Sequence, residues 1–146
     1  MTNYHWINYD KKNIHELYEQ DKKITQQELR DEKQQEQMNQ TQTIAQELYN
    51  KIITAIPNFN EEVIYAHGTM ILLPGKRTNG FMLYQKVLHN WFWEENSHIR
   101  TQRERVATNT LLWRKSTKEQ KDYFRYHAKL LNDQYKSQQW QKRSTT

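Results

Sequence analysis

The fold is decided by a stretch in the middle of the chain, Lys76-Arg77-Thr78-Asn79-Gly80-Phe81-Met82-Leu83-Tyr84. Two cations are followed by polar residues that can cap a helix and then by closely spaced apolar side chains. One face of the helix that begins here carries apolar residues at helical spacing: Phe81, Tyr84, Leu88 and Trp91. The stretch therefore predicts an amphipathic helix over about residues 80–95, with Asn79 or Thr78 as its N-cap.

Two more amphipathic helices are predicted before the C-terminus. The second covers about residues 98–114, and its apolar side chains lie seven residues apart: Ile99, Val106 and Trp113. The third runs to about residue 138 and begins with two overlapping capping boxes, residues 116–119 and 117–120. Only 35% of the residues are hydrophobic, so large rings must supply much of the core. The residues assigned to that core are Tyr84, Trp113 and Phe124.

The first 75 residues have a different character. Residues 1–40 form a polar extension rich in Gln, Glu and Lys with little to bury, so disorder or a frayed helix is expected. Residues 41–75 are expected to hold a short amphipathic helix that ends before Pro57, followed by an extended linker with apolar segments at 63–65 and 70–73. The apolar face of that short helix comprises Ile44, Leu48 and Ile52.

Several classes of function are excluded by composition. The absence of cysteine removes disulfides, Cys-ligated zinc sites and thiol nucleophiles. The longest apolar run, residues 70–74, is too short for a membrane span, and the N-terminus does not resemble a secretion signal. The six histidines lack metal-ligand spacing, and no catalytic motif is present. We therefore expect an intracellular protein that is not an enzyme, with no metal, no cofactor and no membrane association.

Charge is distributed unevenly along the chain. Residues 1–75 carry 7 Lys and Arg against 11 Asp and Glu, whereas residues 76–146 carry 15 against 6. A basic half joined to an acidic half favours a polyanionic partner for the basic half. The alternative is a solvated surface that happens to be basic.

Three segments of the basic half, taken in order, resemble the HMG box. The first is the stretch 76–84, the second is Leu-Trp-Arg-Lys at residues 112–115, and the third is residues 116–128, Ser-Thr-Lys-Glu-Gln-Lys-Asp-Tyr-Phe-Arg-Tyr-His-Ala. The resemblance covers residues 76–143 and is greatest to fungal, especially yeast, mating-type regulators. It implies an all-α fold, an L-shaped three-helix HMG box preceded by a partly helical or disordered N-terminal extension.

The chain departs from the family pattern at three places. Thr78 replaces the family's proline, so φ is less restricted there. Gly80 replaces the family's alanine, which weakens the first helical turn by about 0.5–1 kcal/mol. One extra residue lies between Phe81 and Trp113, so base-reading positions in the second helix are not assigned to single residues.

The resemblance implies binding to double-stranded DNA in the minor groove, with Met82 as the wedge that opens a base step and Phe81 beside it. Arg77 and Asn79 are suited to the groove, as a flexible cation and a hydrogen-bonding amide. Further phosphate contacts are expected from five cations: Arg100, Arg103, Arg105, Lys142 and Arg143. The alternatives are that Asn79 only caps the helix, that Met82 fills a gap in the core, and that the arginines form a solvated face.

These features together predict a sequence-specific, DNA-bending regulator of transcription in the nucleus that controls mating type or cell-type-specific genes. Another transcription factor, bound through the N-terminal extension, is a further expected partner. One alternative is an architectural chromatin protein that is indifferent to sequence. The alternative of another class is a helical protein-interaction module in which the basic surface is incidental.

Overall fold

The computed structural model describes residues 11–96 and 100–144, with side chains from residue 13 onward. Every regular element in these ranges is helical, which confirms the all-α class. The elements are α1 Lys11–Ala55, α2 Phe59–Thr69, α3 Gly80–Leu88, a π-helical turn His89–Trp93, α4 Glu94–Asn96, α5 Gln102–Lys115 and α6 Lys118–Ser144. Contacts divide the chain into two compact units, one up to Gln40 and one from Thr41 onward.

The first unit contains the N-terminal part of α1. From Lys11 to Gln40 the backbone is continuous helix, where the sequence predicted disorder or fraying, and the side chains described there are nearly all exposed. Side-chain pairs four residues apart support it: Gln27 Nε2 donates to Asp31 Oδ1 at 2.9 Å and Gln35 Nε2 donates to Asn39 Oδ1 at 3.0 Å. The expectations for residues 1–10 lie outside the described residues.

The second unit includes chain that the sequence had assigned to a linker. Helix α1 ends at Ala55, as Pro57 predicted, but the expected extended segment at residues 63–65 is wrong because it lies inside α2. Phe59, Val63 and Ala66 recur at helical spacing and are all buried. Residues 70–73 form no strand. The segments 41–55 and 59–69 therefore contribute to the same core as the basic half.

Aromatic rings form the centre of that core. Tyr84 and Phe124 are each 1% exposed, and their ring centroids lie 5.2 Å apart at nearly right angles. Trp113 packs 5.2 Å from Tyr84 but is half-buried, so it lies at the edge of the core and not inside it. The assignments of Tyr84 and Phe124 to the core are confirmed.

Polar groups inside the core bond to one another. The Tyr84 hydroxyl donates to Asn60 Oδ1 at 2.9 Å and joins α3 to α2. Trp93 Nε1 donates to the buried Asn109 Oδ1 at 2.7 Å and joins the π-helical turn to α5. These bonds fix which helices meet, because a buried polar group left without a partner would be costly.

The predicted helix starts are found for α3 and α6. Asn79 is the N-cap of α3, and Thr117 forms a reciprocal box with Gln120, whose distances are 2.9 Å and 3.2 Å. The other proposed box fails because the Ser116 hydroxyl is buried and donates to the Leu112 carbonyl.

The second predicted helix begins later than expected. Helix α5 starts at Gln102 behind the N-cap Thr101, and the predicted residues 98 and 99 lie outside the described residues. Val106, expected on the apolar face, is 41% exposed, and Leu112 is buried in its place.

The close packing of α3 against α6 explains why residue 80 is glycine, and the sequence alone did not show this. A Cβ at this position would lie 2.7 Å from Arg125 Cγ and 3.2 Å from Arg125 N on α6. We therefore expect Gly80→Ala to lower the free energy of unfolding by about 1–3 kcal/mol, although alanine is the better helix former. Urea denaturation measures this.

Gly68 provides the matched control. It also lies in a helix, α2, but nothing approaches its Cβ position within 4 Å. Gly68→Ala is therefore expected to raise stability by about 0.5–1 kcal/mol. A stabilising effect at both glycines would refute the close approach of α3 to α6.

A histidine cluster joins α2 to α6. His67 is 8% exposed, its Nδ1 lies 2.7 Å from the Tyr123 hydroxyl, and its ring centroid lies 4.6 Å from that of His127. Burial, and then the charge of nearby His127, lowers the pKa of His67 below its ordinary value of 6.5.

This cluster predicts a dependence of stability on pH. Between pH 6.5 and the lowered pKa the folded state binds fewer protons than the unfolded chain, so stability is retained above that window and falls as the pH drops through it. We expect a lower Tm at pH 5.5 than at pH 7.5, and a smaller difference for His67→Gln. An identical pH dependence in both proteins would contradict this role for His67.

Candidate nucleic-acid interface

A concavity of about 270 Å³ lies at the start of α3. Met82 lines it and is 50% exposed, so its side chain is accessible from solvent. The adjacent Phe81 is half-buried, with its ring centroid 5.8 Å from that of Trp113. The two consecutive side chains therefore point in different directions, one toward the core and one into the concavity.

Three cations line the same concavity as Met82. Lys76 and Arg77 lie on the segment that enters α3, and Lys86 lies in the last turn of that helix. None of the described residues that line the concavity is acidic. An apolar tip in a concavity lined by three cations and by no described carboxylate favours a polyanionic ligand.

Asn79 holds the first turn of α3. Its Oδ1 accepts from the Met82 backbone N–H at 2.9 Å, so the capping role is confirmed. The cap uses the side-chain oxygen and leaves the two Nδ2 hydrogens for another acceptor. Capping by Asn79 and a hydrogen bond to a base edge are therefore compatible.

Sequence reasoning did not identify Asn132 on α6. Its Oδ1 accepts from the Thr78 N–H at 2.9 Å, and its Nδ2 donates to the Thr78 carbonyl at 2.8 Å. An asparagine in the interior of a long helix is a poor helix former, and this unfavourable choice was the available signal. The segment that carries Arg77 is thus attached to α6 immediately before α3 begins.

Arg100, which precedes α5, and Arg105 within it do not line the Met82 concavity. Arg100 lines a second, largely apolar concavity of about 200 Å³ next to Ile52 and Phe92, and its Nη1 lies 3.9 Å from Glu104 Oε2. Arg105 is half-buried and donates from Nη1 to the Arg100 carbonyl at 3.1 Å. Both side chains therefore have contacts within the protein that would compete with contacts to phosphates.

The remaining predicted cations are exposed. Arg103 lies in the first turn of α5, and Lys142 and Arg143 lie in the last turn of α6. Lys142 is about 16 Å along the helix axis from Leu131, which lines the Met82 concavity. The structure thus brings Arg77, Asn79, Phe81 and Met82 together at the start of α3, and none of the other five predicted residues lines the Met82 concavity.

The described chain holds neither a cluster of metal ligands nor a membrane-spanning helix. Within residues 11–96 and 100–144, no three potential metal ligands come together. No helix there is long and apolar enough to cross a membrane. Comparison of the chain with family models, with curated proteins and with solved structures found no match.

Proposed function

We propose that the chain binds double-stranded DNA through the minor groove and bends it, acting in the nucleus as a sequence-specific transcription regulator. The observation that carries this proposal is the half-exposed Met82 in a concavity lined by Lys76, Arg77 and Lys86. In this proposal the thioether enters a base step while the cations contact the flanking phosphates.

The energetics favour such an arrangement. Opening one base step costs a few kcal/mol, which the larger contact surface of a kinked duplex offsets. Each cation that neutralises a phosphate also releases condensed counterions, so affinity falls steeply as salt rises. A wedge and cations within one concavity provide both parts of this mechanism.

The π-helical turn supports the resemblance to the HMG box. The chain has one residue more between Phe81 and Trp113 than the family pattern, and a π-helical turn inside an α-helix can accommodate a single inserted residue. That turn lies at His89–Trp93, within the interval that contains the extra residue. We propose an L-shaped three-helix arrangement for residues 76–143, with control of mating-type or cell-type genes as its role.

The protein-interaction alternative is less favoured by the core. In that alternative the aromatic faces of the helices bind a partner helix, yet Tyr84 and Phe124 are buried within this chain. The architectural alternative differs from our proposal in selectivity. Selection from a random oligonucleotide pool separates the two, since a sequence-specific protein enriches a motif and an architectural protein enriches none.

The dependence of DNA affinity on salt tests the role of the cations. We expect Arg77→Gln to reduce the slope of log affinity against log salt by about 1, the effect of one lost phosphate contact. Lys51→Gln, at the second concavity, removes the same charge elsewhere and is expected to leave the slope nearly unchanged. Equal slopes for the wild type and both variants would contradict the proposed interface.

A further inference from the structure

We propose that Asn132 is a positioning residue for DNA bending, an inference that rests on the proposed function. Its side-chain amide pairs with both backbone groups of Thr78, through bonds of 2.9 Å and 2.8 Å. The two residues are 54 positions apart in the chain, so this pair fixes the segment before α3 onto α6.

The pairing is connected to Met82 through two short steps. Thr78 precedes Asn79, and Asn79 Oδ1 accepts from the Met82 backbone N–H at 2.9 Å. Leu131, the neighbour of Asn132, lines the same concavity as Met82 and Arg77. Helix α6 therefore supplies both one wall of the concavity and the bonds that set the start of α3 against it.

Apart from Leu72, which packs against the core, the segment has few buried side chains to hold it in place. Residues 71–79 form no helix or strand, and Ile71 and Leu73 within it are 91% and 72% exposed. Bonds to a helix whose Phe124 and Ala128 are buried in the core are thus well placed to order this segment.

Thr78 is suited to this pairing in a way that proline is not. A proline would fix φ but has no N–H, so it could not donate to Asn132 Oδ1. The threonine that replaces the family's proline supplies that donor. The side-chain amide of Asn132 thus does by hydrogen bonding what a restricted φ would otherwise do for the entry to α3.

The test compares linear duplex DNA with the same duplex carrying a two-nucleotide bulge, which is already kinked. Asn132→Leu removes both bonds without a change of charge, and the full-length protein is used. We expect affinity for the linear duplex to fall about tenfold or more, because a misplaced wedge no longer offsets the cost of kinking. Affinity for the bulged duplex is expected to fall less than about threefold, because this duplex is kinked before the protein binds and needs no further bending energy.

The control is Gln134→Leu, which makes the same kind of change at an exposed position of α6 and should alter neither affinity. Equal losses on both duplexes, or no loss on either, would refute positioning by Asn132. Failure of the proposed function would look different, because the wild type would then not bend the linear duplex at all.

Amide hydrogen exchange tests the pairing without any substitution. In the DNA-free wild type, the Thr78 N–H is expected to be protected from exchange, because it donates to Asn132. Exchange of that amide at the rate of an unprotected peptide would overturn the proposal, whether or not Asn132→Leu folds.

Discussion

Phe124→Ala is expected to lower the free energy of unfolding by about 3–5 kcal/mol, a large part of the roughly 5–15 kcal/mol that stabilises a typical domain. The ring is 1% exposed and packs against Tyr84, Tyr123 and His67 at centroid distances of 5.2, 5.3 and 5.7 Å. Its removal leaves a cavity where α3 and α2 both meet α6. Chemical denaturation followed by circular dichroism measures the loss.

Tyr126→Ala provides the matched control for this substitution. Tyr126 is two residues away on the same helix, but its side chain is 60% exposed. Its replacement is expected to change stability by about 0.5 kcal/mol or less, as is usual for surface positions. Similar denaturation midpoints for the two variants would show that Phe124 does not lie in the core.

Trp113→Ala is expected to lower the free energy of unfolding by less than Phe124→Ala and by more than Tyr126→Ala. The indole is half-buried, with the Arg125 guanidinium carbon 5.9 Å from its ring centroid. Replacement therefore removes packing and a cation–π contact, but it leaves a smaller enclosed cavity than Phe124→Ala does.

The helices of the basic half were predictable because their signals are local. Asn79 and Thr117 are good capping residues at the start of amphipathic runs, and both act as caps in the structure. Pro57 likewise predicted the C-terminal end of α1 to within two residues. Capping residues and prolines act on the nearest turn of the backbone. Their effect can therefore be predicted from the sequence without the tertiary fold.

The prediction failed where tertiary packing decides the outcome. Val63, Ile64 and Tyr65 favour a strand by propensity, but burial of Phe59 and Val63 against the basic half stabilises a helix. Glycine is needed at position 80 because Arg125, 45 positions later in the chain, packs against it. No local sequence pattern predicts this contact.

The candidate site was predicted in part. Consecutive side chains on a helix point in different directions, so the spacing predicted that one of Phe81 and Met82 would face outward. That Met82 is the accessible one was implied by the resemblance, and its side chain is 50% exposed. The ion pair of Arg100 with Glu104 and the amide pair of Asn132 with Thr78 depend on side-chain directions that spacing alone does not give. Arg100, Arg103 and Arg105 were grouped with Met82 because of their charge, and sequence alone does not give the position of a charged side chain in the fold.

Met82→Ala is expected to abolish most of the DNA bend while it reduces affinity much less. The side chain is half-exposed at the concavity, so its removal should leave the core intact. The phosphate contacts from neighbouring cations remain, and these supply much of the affinity. Met82→Leu keeps an apolar wedge of similar size and is expected to retain most of the bend.

Met38→Ala is the control for loss of a methionine. Met38 is 57% exposed on α1, in the first unit of the chain, so its exposure matches that of Met82. Its replacement is expected to leave both the bend and the affinity as in the wild type.

Fluorescence resonance energy transfer between the ends of a short duplex chosen by selection measures the bend most directly. We predict a large end-to-end shortening with the wild type and with Met82→Leu, and less than half of that shortening with Met82→Ala at saturating protein. The same shortening with Met82→Ala as with the wild type would contradict the wedge.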